Sequence, residues 1–165
     1  MKEPDGLDIR YTSLDDEKYL LEWIKQEENN KWFPMSTEKE IAISCKNWVG
    51  FSRFKCSLTA TIEGKPVGLV TLFLMPYRKV AHLCMFYLIV DQNMTKKGIG
   101  TALLRNAINL AKKYFRLESL YVEVFEGAPV IKLLEKFNFK KFAEQPDFVR
   151  EDGISMSRVL MEHIL

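Results

Sequence analysis

The stretch MTKKGIGTALL, Met94 to Leu104, sets Lys96 and Lys97 directly before two closely spaced glycines and runs on into an apolar helical pattern. Lysines are misplaced at a helix start, where aligned peptide dipoles already amount to about half a positive charge and oppose a cation by roughly 0.3–1 kcal/mol. The same end suits an anion. The first N–H groups of a helix lack internal partners, and glycine lets a ligand approach the backbone closely. Lys96 and Lys97 become favourable once a phosphate occupies the turn, although solvated loop lysines need no ligand at all. A second candidate is Glu123, set in the apolar run LYVEVF, where a carboxylate needs a partner or a water-lined groove. Tyr121 and Tyr87 carry hydroxyls able to donate a proton, with core or rim packing as the alternative.

Other chemistries find little support. Cys45, Cys56 and Cys84 form no CxxC pair, and His82 and His163 have no ligand spacing, so neither a metal site nor a disulfide framework is expected. Unpaired thiols suit the reducing cytoplasm, and Cys84 reads as a small buried hydrophobe. The balance of 24 basic against 22 acidic residues, +2 overall, gives no reason to invoke nucleic acid. No apolar run approaches the roughly 20 residues of a membrane span, and the N-terminus MKEPDGLDIR is too polar for a signal peptide.

These residues need elements to position them. At 165 residues and 47% hydrophobic, the chain is sized for one domain over 1–165. LDIRYTSL reads as a strand. DDEKYLLEWIKQEEN follows as a helix capped by Asp15 or Asp16, and Thr37 with Glu40 has capping-box spacing for a second. CSLTATIEGKPVGLVTLFLM reads as two strands about the turn Glu63-Gly64-Lys65-Pro66. AHLCMFYLIVD is apolar on both faces, like a central strand. Residues 98–114 form a helix, LESLYVEVF a strand, and PVIKLLEKF a helix opened by Pro129. Two strands separated by Asp152-Gly153 close the chain. The expected architecture is α/β: a mixed, mostly antiparallel central sheet with helices on both faces, the helix after the central strand crossing to a parallel neighbour.

IVDQNMTKKGIGTALL, preceded by a buried strand, resembles the acetyl-CoA-binding motif of the GNAT acetyltransferase superfamily. There a strand ending in Val leads through a short loop to Arg/Gln-x-x-Gly-x-Gly/Ala at a helix start; Val90, Gly98 and Gly100 fall in register. VFEGAPVIKLLEKFNFK resembles a second motif of the form EGNPAIxLYEKxGF, and EDGISMSRVLM resembles the closing strands. The resemblance implies the acyl-CoA N-acyltransferase fold, with its parallel strand pair splayed, and acetyl-CoA as co-substrate. The backbone of Leu88, Ile89 and Val90 would pair with the pantetheine arm, between the central strand and the strand 119–125. The turn Lys96, Lys97, Gly98, Ile99, Gly100 and Thr101, flanked by the motif positions Thr95 and Ala128, would hold the pyrophosphate. An N–H near Val90 would face the thioester oxygen as charge develops there, usually a large catalytic contribution.

The departures from that pattern bear on catalysis. Thr95 replaces Arg/Gln, Asn138 replaces the Gly of the GF pair, and Ala128 replaces an Asn whose capping is typically worth about 1 kcal/mol. Leu134 stands where a Tyr often protonates the departing thiolate, and Cys84 where histone-type relatives carry a glutamate. A thiol of pKa near 8.5 leaves tolerably without an acid. A lysine-like amine is neutral in roughly one molecule in a few thousand at pH 7, against roughly one in ten for an α-amine, so a missing base weighs more on a lysine acceptor. Substitute catalytic candidates are Glu123, His82 and Tyr121. The resembling subfamily often has a histidine at the position of His82, which shares a strand face with Cys84 and Phe86; a structural role at the strand start is the alternative. Trp32 and Phe33, beside Pro34, are candidate acceptor-pocket walls, whereas Trp23 reads as core.

The sequence therefore points to an N-acetyltransferase acting on a primary amine of a small molecule, a protein N-terminus or a lysine, by direct attack in a ternary complex, as a monomer or homodimer. A degenerate acyl-CoA-binding sensor is the alternative. A nucleotide-binding module is weaker, because GIGTALL lacks both GK[ST] and GxGxxG.

Overall fold

The computed structural model describes residues 2–165. Strand β1 (Leu7–Tyr11) leads into α1 (Glu17–Lys25), the single-turn α2 (Glu27–Asn30) and α3 (Glu38–Gly50). Then come β2 (Ser57–Ile62), β3 (Lys65–Leu74), β4 (Leu83–Val90), α4 (Ile99–Asn109), β5 (Ser119–Phe125), α5 (Val130–Lys136), β6 (Lys140–Glu151) and β7 (Ile154–Ile164). This is the expected order with α2 added. The seven strands run β1-β2-β3-β4-β5-β7-β6, antiparallel throughout except for β4 beside β5.

Local chemistry explains most boundaries. Thr37 accepts from the Glu40 N–H and Glu40 accepts from the Thr37 N–H, the expected capping box at α3. Asp16 holds the position before α1, but its side chain makes no capping hydrogen bond there; it is 2% exposed and Arg10 grips it with two hydrogen bonds of 2.8 Å. The turn after β2 is tighter than expected. Glu63 and Gly64 alone make it, and Lys65 and Pro66 already belong to β3. Pro66 lacks an N–H for the ladder, and the register shifts opposite it, between Ala60 and Thr61. The helix expected over 98–114 is α-helical only to Asn109 and ends in a π turn, Leu110–Tyr114.

The sheet carries a core on each face. One packs Phe86, Leu120 and Val122 beneath Ile99, Leu103 and Leu104 of α4 and Leu134 of α5. The other packs Leu69 and Ile89 beneath Leu20, Trp23 and Ile24 of α1 and Trp48 of α3. Trp23, 1% exposed, is core as expected. Helix α4 lies close on the sheet because residue 68 is glycine: a Cβ there would sit 3.0 Å from both the Ile89 carbonyl oxygen and Leu103 Cδ1.

Strands β4 and β5 pair only from Leu83–Met85 to Ser119–Tyr121. Beyond that point β4 stays with β3 up to Val90, and β5 stays with β7 up to Phe125. The sheet thus splits into two leaves. Phe139 packs against Phe86 with the rings tilted at 60° and centroids 5.5 Å apart, in the core that also holds Leu134.

Candidate active site

The split opens into a cavity of about 570 Å³. Leu88, Ile89 and Val90 line it from β4, Glu123 from β5, Gly98, Gly100 and Thr101 from the start of α4, and Ala128 from the turn before α5. Trp32 and Phe33, the candidate wall residues, line it too, with Pro34 beside them.

The α4 start is an array of free donors. Gly98 caps the helix at φ 86°, a left-handed conformation glycine adopts at little cost, and Lys96 is left-handed at φ 60°. The first helical hydrogen bond runs from the Ala102 N–H to the Gly98 carbonyl at 3.0 Å. The N–H groups of Lys96 to Thr101 therefore have no backbone acceptor. That is a cradle for an anion. The two lysines differ. Lys96 lines the cavity, whereas Lys97 is outside the lining and turns its Nζ back to the Asn93 carbonyl at 3.4 Å. Ile99 is also outside the lining, 1% exposed in the core, so only its peptide group can serve a ligand.

Strand alternation sorts the β4 peptides. The Asp91 N–H donates to the Val67 carbonyl of β3 at 2.9 Å, so the peptide groups of Ile89 also face β3. Those of Leu88 and Val90 face the gap where β5 has left. Of the three expected partners for an extended ligand, Leu88 and Val90 present backbone groups and Ile89 presents none. The Val90 carbonyl accepts from Asn29 Nδ2 at 3.0 Å, leaving its N–H as the free group. Gln26 ties the same corner: its Nε2 donates to Asp91 at 2.8 Å, and its Oε1 accepts from the Gln92 N–H at 2.9 Å. Sequence spacing held no sign of this clamp, because its members are 61 to 66 residues apart.

The catalytic candidates separate sharply. Glu123 lines the cavity and accepts from Arg158 Nη1 at 3.0 Å, which supplies the partner an apolar strand demands. Tyr87 also lines it; burial, and then the Glu123 charge, push its pKa up to about 12. Tyr121 is outside the lining, at the last β4–β5 pair, and burial, then Cys84 and Glu123, raise its pKa. His82 does not belong with them. It sits in an exposed turn one residue before β4, at the end away from Val90 and outside the lining, so the two-residue periodicity that linked it to Cys84 does not extend to it. Cys84 is 0% exposed, and burial pushes its pKa up to about 12. Leu134 is likewise 0% exposed. No group of histidine, cysteine and acidic residues suited to a metal occurs among the described residues.

Sequence reasoning missed Arg158. Its Nη1 holds Glu123, its Nη2 donates to Gln145, and its guanidinium lies 4.2 Å from the Phe148 ring centroid. Gln145 is its direct cross-strand partner on β6, and the register shift between Gln145 and Val149 contains Phe148. The available signal was a lone arginine in ISMSRVLM and a lone glutamate in LYVEVF, on strands that became neighbours.

Residues 17–139 match the model of the acetyltransferase (GNAT) family. The L-amino acid N-acetyltransferase AaaT of Escherichia coli (strain K12) is 30% identical over 84 residues, 50% of this chain and 52% of that protein. The chain thus spans about half the length of the curated relative it matches. Among solved structures, YncA of Salmonella typhimurium, determined with its cofactor acetyl-CoA, superposes with a TM-score of 0.81 at 14% identity, covering 97% of this chain and 94% of that one. The ribosomal-protein-alanine N-acetyltransferase of Brucella melitensis superposes at 0.80 and 21% identity, covering 96% and 99%. At such identities these two establish the fold.

Proposed function

Because the chain belongs to the acetyltransferase (GNAT) family, we propose that it moves an acetyl group from acetyl-CoA to a primary amine by direct attack in a ternary complex, as one domain over residues 1–165. The carrying observation is convergence: unpartnered α4 amides, outward β4 peptides and one ion-paired carboxylate meet on a single cavity. The fit to acetyl-CoA follows from that chemistry. The N–H groups of Lys96 to Thr101 suit a diphosphate, with Lys96 adding charge, and Leu88 and Val90 suit an amide-bearing extended arm. The ligand supplies a thioester carbonyl and a sulfur leaving group.

The Val90 N–H stabilises the carbonyl oxygen as negative charge develops. Glu123 takes the proton of the attacking amine while the new N–C bond forms and the C–S bond breaks. The sulfur departs as thiolate, helped by its low pKa of about 8.5 rather than by an α5 hydroxyl. Amine acceptors accord with the activities for which AaaT and the Brucella protein are named. Buried, unpaired Cys45, Cys56 and Cys84 fit a cytoplasmic setting.

Leu134 favours a second reading, a chain that binds acyl-CoA without turnover, since it offers no proton donor. Thermal shift and an amine panel separate the two. Acetyl-CoA at about 100 times its Kd adds about 2.7 kcal/mol, and thiol release with any amine supports the enzyme. Binding with silence across the panel supports the sensor. A shift with ATP or NAD and none with CoA esters defeats both.

A further inference from the structure

Resting on the enzyme reading and deepening it, we infer that Tyr87 is a further catalytic residue: its hydroxyl faces Glu123 across the split in the sheet, and the two hold the acceptor's primary amine between them.

Strand register places them. Carried two residues past the last β4–β5 pair, Met85 with Tyr121, the same register sets Tyr87 opposite Glu123, where the strands have parted. Both side chains stand on one face of the sheet. Tyr87 packs with Phe33, Trp48 and Phe73 on the side of α1 and α3, at ring-centroid distances of 6.1, 5.5 and 5.6 Å. Glu123 alternates with Val122 and Val124, which belong to the opposite core beneath α4, so it turns to the Tyr87 side. Paired strands lie about 4.8 Å apart and bring facing side chains into contact. Parted strands leave a space between them, and both residues line the cavity that fills it.

Both groups have bonding capacity to spare. Arg158 holds Glu123 through Oε2, which leaves Oε1 for a ligand. The Tyr87 hydroxyl has no partner among the described residues and is not one of the orphaned buried atoms, so it opens on the cavity. It is no base: burial, and then the Glu123 charge, push its pKa up to about 12 and keep it a neutral phenol. Its oxygen still accepts a hydrogen bond. The other hydroxyls of the lining are placed elsewhere. Thr95 Oγ1 donates to the Gln92 carbonyl at 3.1 Å, and Thr101 belongs to the start of α4.

The two groups divide the amine's valences. A neutral primary amine has two N–H bonds and one lone pair. With one N–H on Glu123 Oε1 and the other on Tyr87 Oη, the lone pair has a single direction left, that of the thioester carbon. As the N–C bond forms, Glu123 takes the first proton and the C–S electron pair leaves with the sulfur. The second N–H stays on the amide nitrogen, still bonded to Tyr87. An N-methylated amine lacks that second N–H and leaves Tyr87 without a partner.

The experiment compares primary amines that the full chain acetylates, benzylamine and L-leucine being the first probes, with their N-methyl derivatives. In the unmodified chain the primary amine leads in kcat/KM by about 5- to 100-fold, the range for a hydrogen-bonding group deprived of its partner. Tyr87→Phe keeps the ring in its aromatic cluster and removes the accepting oxygen. It lowers kcat/KM for the primary amine by a similar factor and leaves the N-methyl derivative within about two-fold, so the ratio collapses while acetyl-CoA affinity is unchanged. A ratio taken on one protein sample is insensitive to partial loss of folded chain. A ratio unmoved by Tyr87→Phe overturns the inference, as does equal use of both amines by the unmodified chain. Those outcomes leave acetyl transfer itself standing. Silence of every amine in the panel instead defeats the enzyme reading and carries this inference down with it.

Discussion

The two ends of the cavity are made of different material. At one end, the α4 start and the β4 edge offer peptide groups, positioned by left-handed residues and by a strand that loses its neighbour. At the other, Trp32, Phe33, Tyr87 and Glu123 converge as side chains from separate segments, with Arg158 outside the lining and bonded to Glu123. A backbone site tolerates side-chain drift, so Thr95 and Ala128 can replace the family's residues while the N–H array survives. A side-chain site has no such reserve, and each substitution changes what it recognises. A shared co-substrate is therefore compatible with a private acceptor.

The largest expected effect falls at the side-chain end alone. Glu123→Gln removes the base and should lower kcat/KM by about 10²–10⁴ while leaving acetyl-CoA affinity within a factor of two or so. Stopped-flow or steady-state kinetics beside a calorimetric titration reads both; unchanged turnover removes Glu123 from the mechanism, and a parallel loss of cofactor binding would erase the division between the ends.

A second arginine–carboxylate pair shows what such a pair is like when it serves only the fold. Asp16 takes two bonds from Arg10, one from the Ser13 N–H and one from Thr59 Oγ1. Burial pushes its pKa up, but the Arg10, Ser13 and Thr59 hydrogen bonds outweigh that and hold it below the ordinary carboxylate value. A depressed folded pKa contributes stability that is fully present above the unfolded pKa, about 3.9, and is lost as pH falls through the folded value. Asp16→Asn should destabilise by about 1–3 kcal/mol at pH 7, since the Arg10 charge it leaves behind is 38% exposed, and flatten the acid limb of stability, followed by urea unfolding from pH 7 to pH 2. A variant that kept the full acid dependence would assign it to other carboxylates. Acetyl-CoA binding by the folded fraction should not change.

The backbone end breaks differently. Gly98→Val forces a β-branched residue to φ 86°, which costs about 1–2 kcal/mol of strain, and it places carbon where a ligand must approach. The expected result is a lowered Tm together with weaker acetyl-CoA binding. A lowered Tm with binding intact would move the diphosphate off this turn. Gly98 was legible in sequence because a glycine pair between an apolar strand and an apolar helix weakens both elements unless something must come close to the backbone there. The sheet order and the helices were legible for a similar reason, since long periodic runs admit one element type. What stayed hidden was short or non-local. The α2 turn, EENN, has no apolar periodicity. His82 seemed to share a strand face because the strand starts two residues later than the pattern suggested, at Leu83 rather than Ala81. Arg158, Gln145 and Asn29 gain their meaning from partners 13 to 61 residues away.

The smallest effect separates the two lysines that first looked misplaced. Lys96 borders the cavity and Lys97 folds back on Asn93 and Met94. Exposed charges of this kind contribute about 0.2–1 kcal/mol each and are screened by salt. Lys96→Ala should therefore weaken acetyl-CoA binding by up to about five-fold at low ionic strength, with the difference fading near 1 M salt, where the Debye length is about 3 Å. Lys97→Ala should change it less. An equal loss from both would mean that the turn's general field attracts the anion. A loss confined to Lys97 would require its side chain to leave Asn93 and swing into the groove when the co-substrate binds. If the peptide array carries most of the grip, neither variant approaches the loss from Gly98→Val, and that ranking tests whether this end is built of backbone at all.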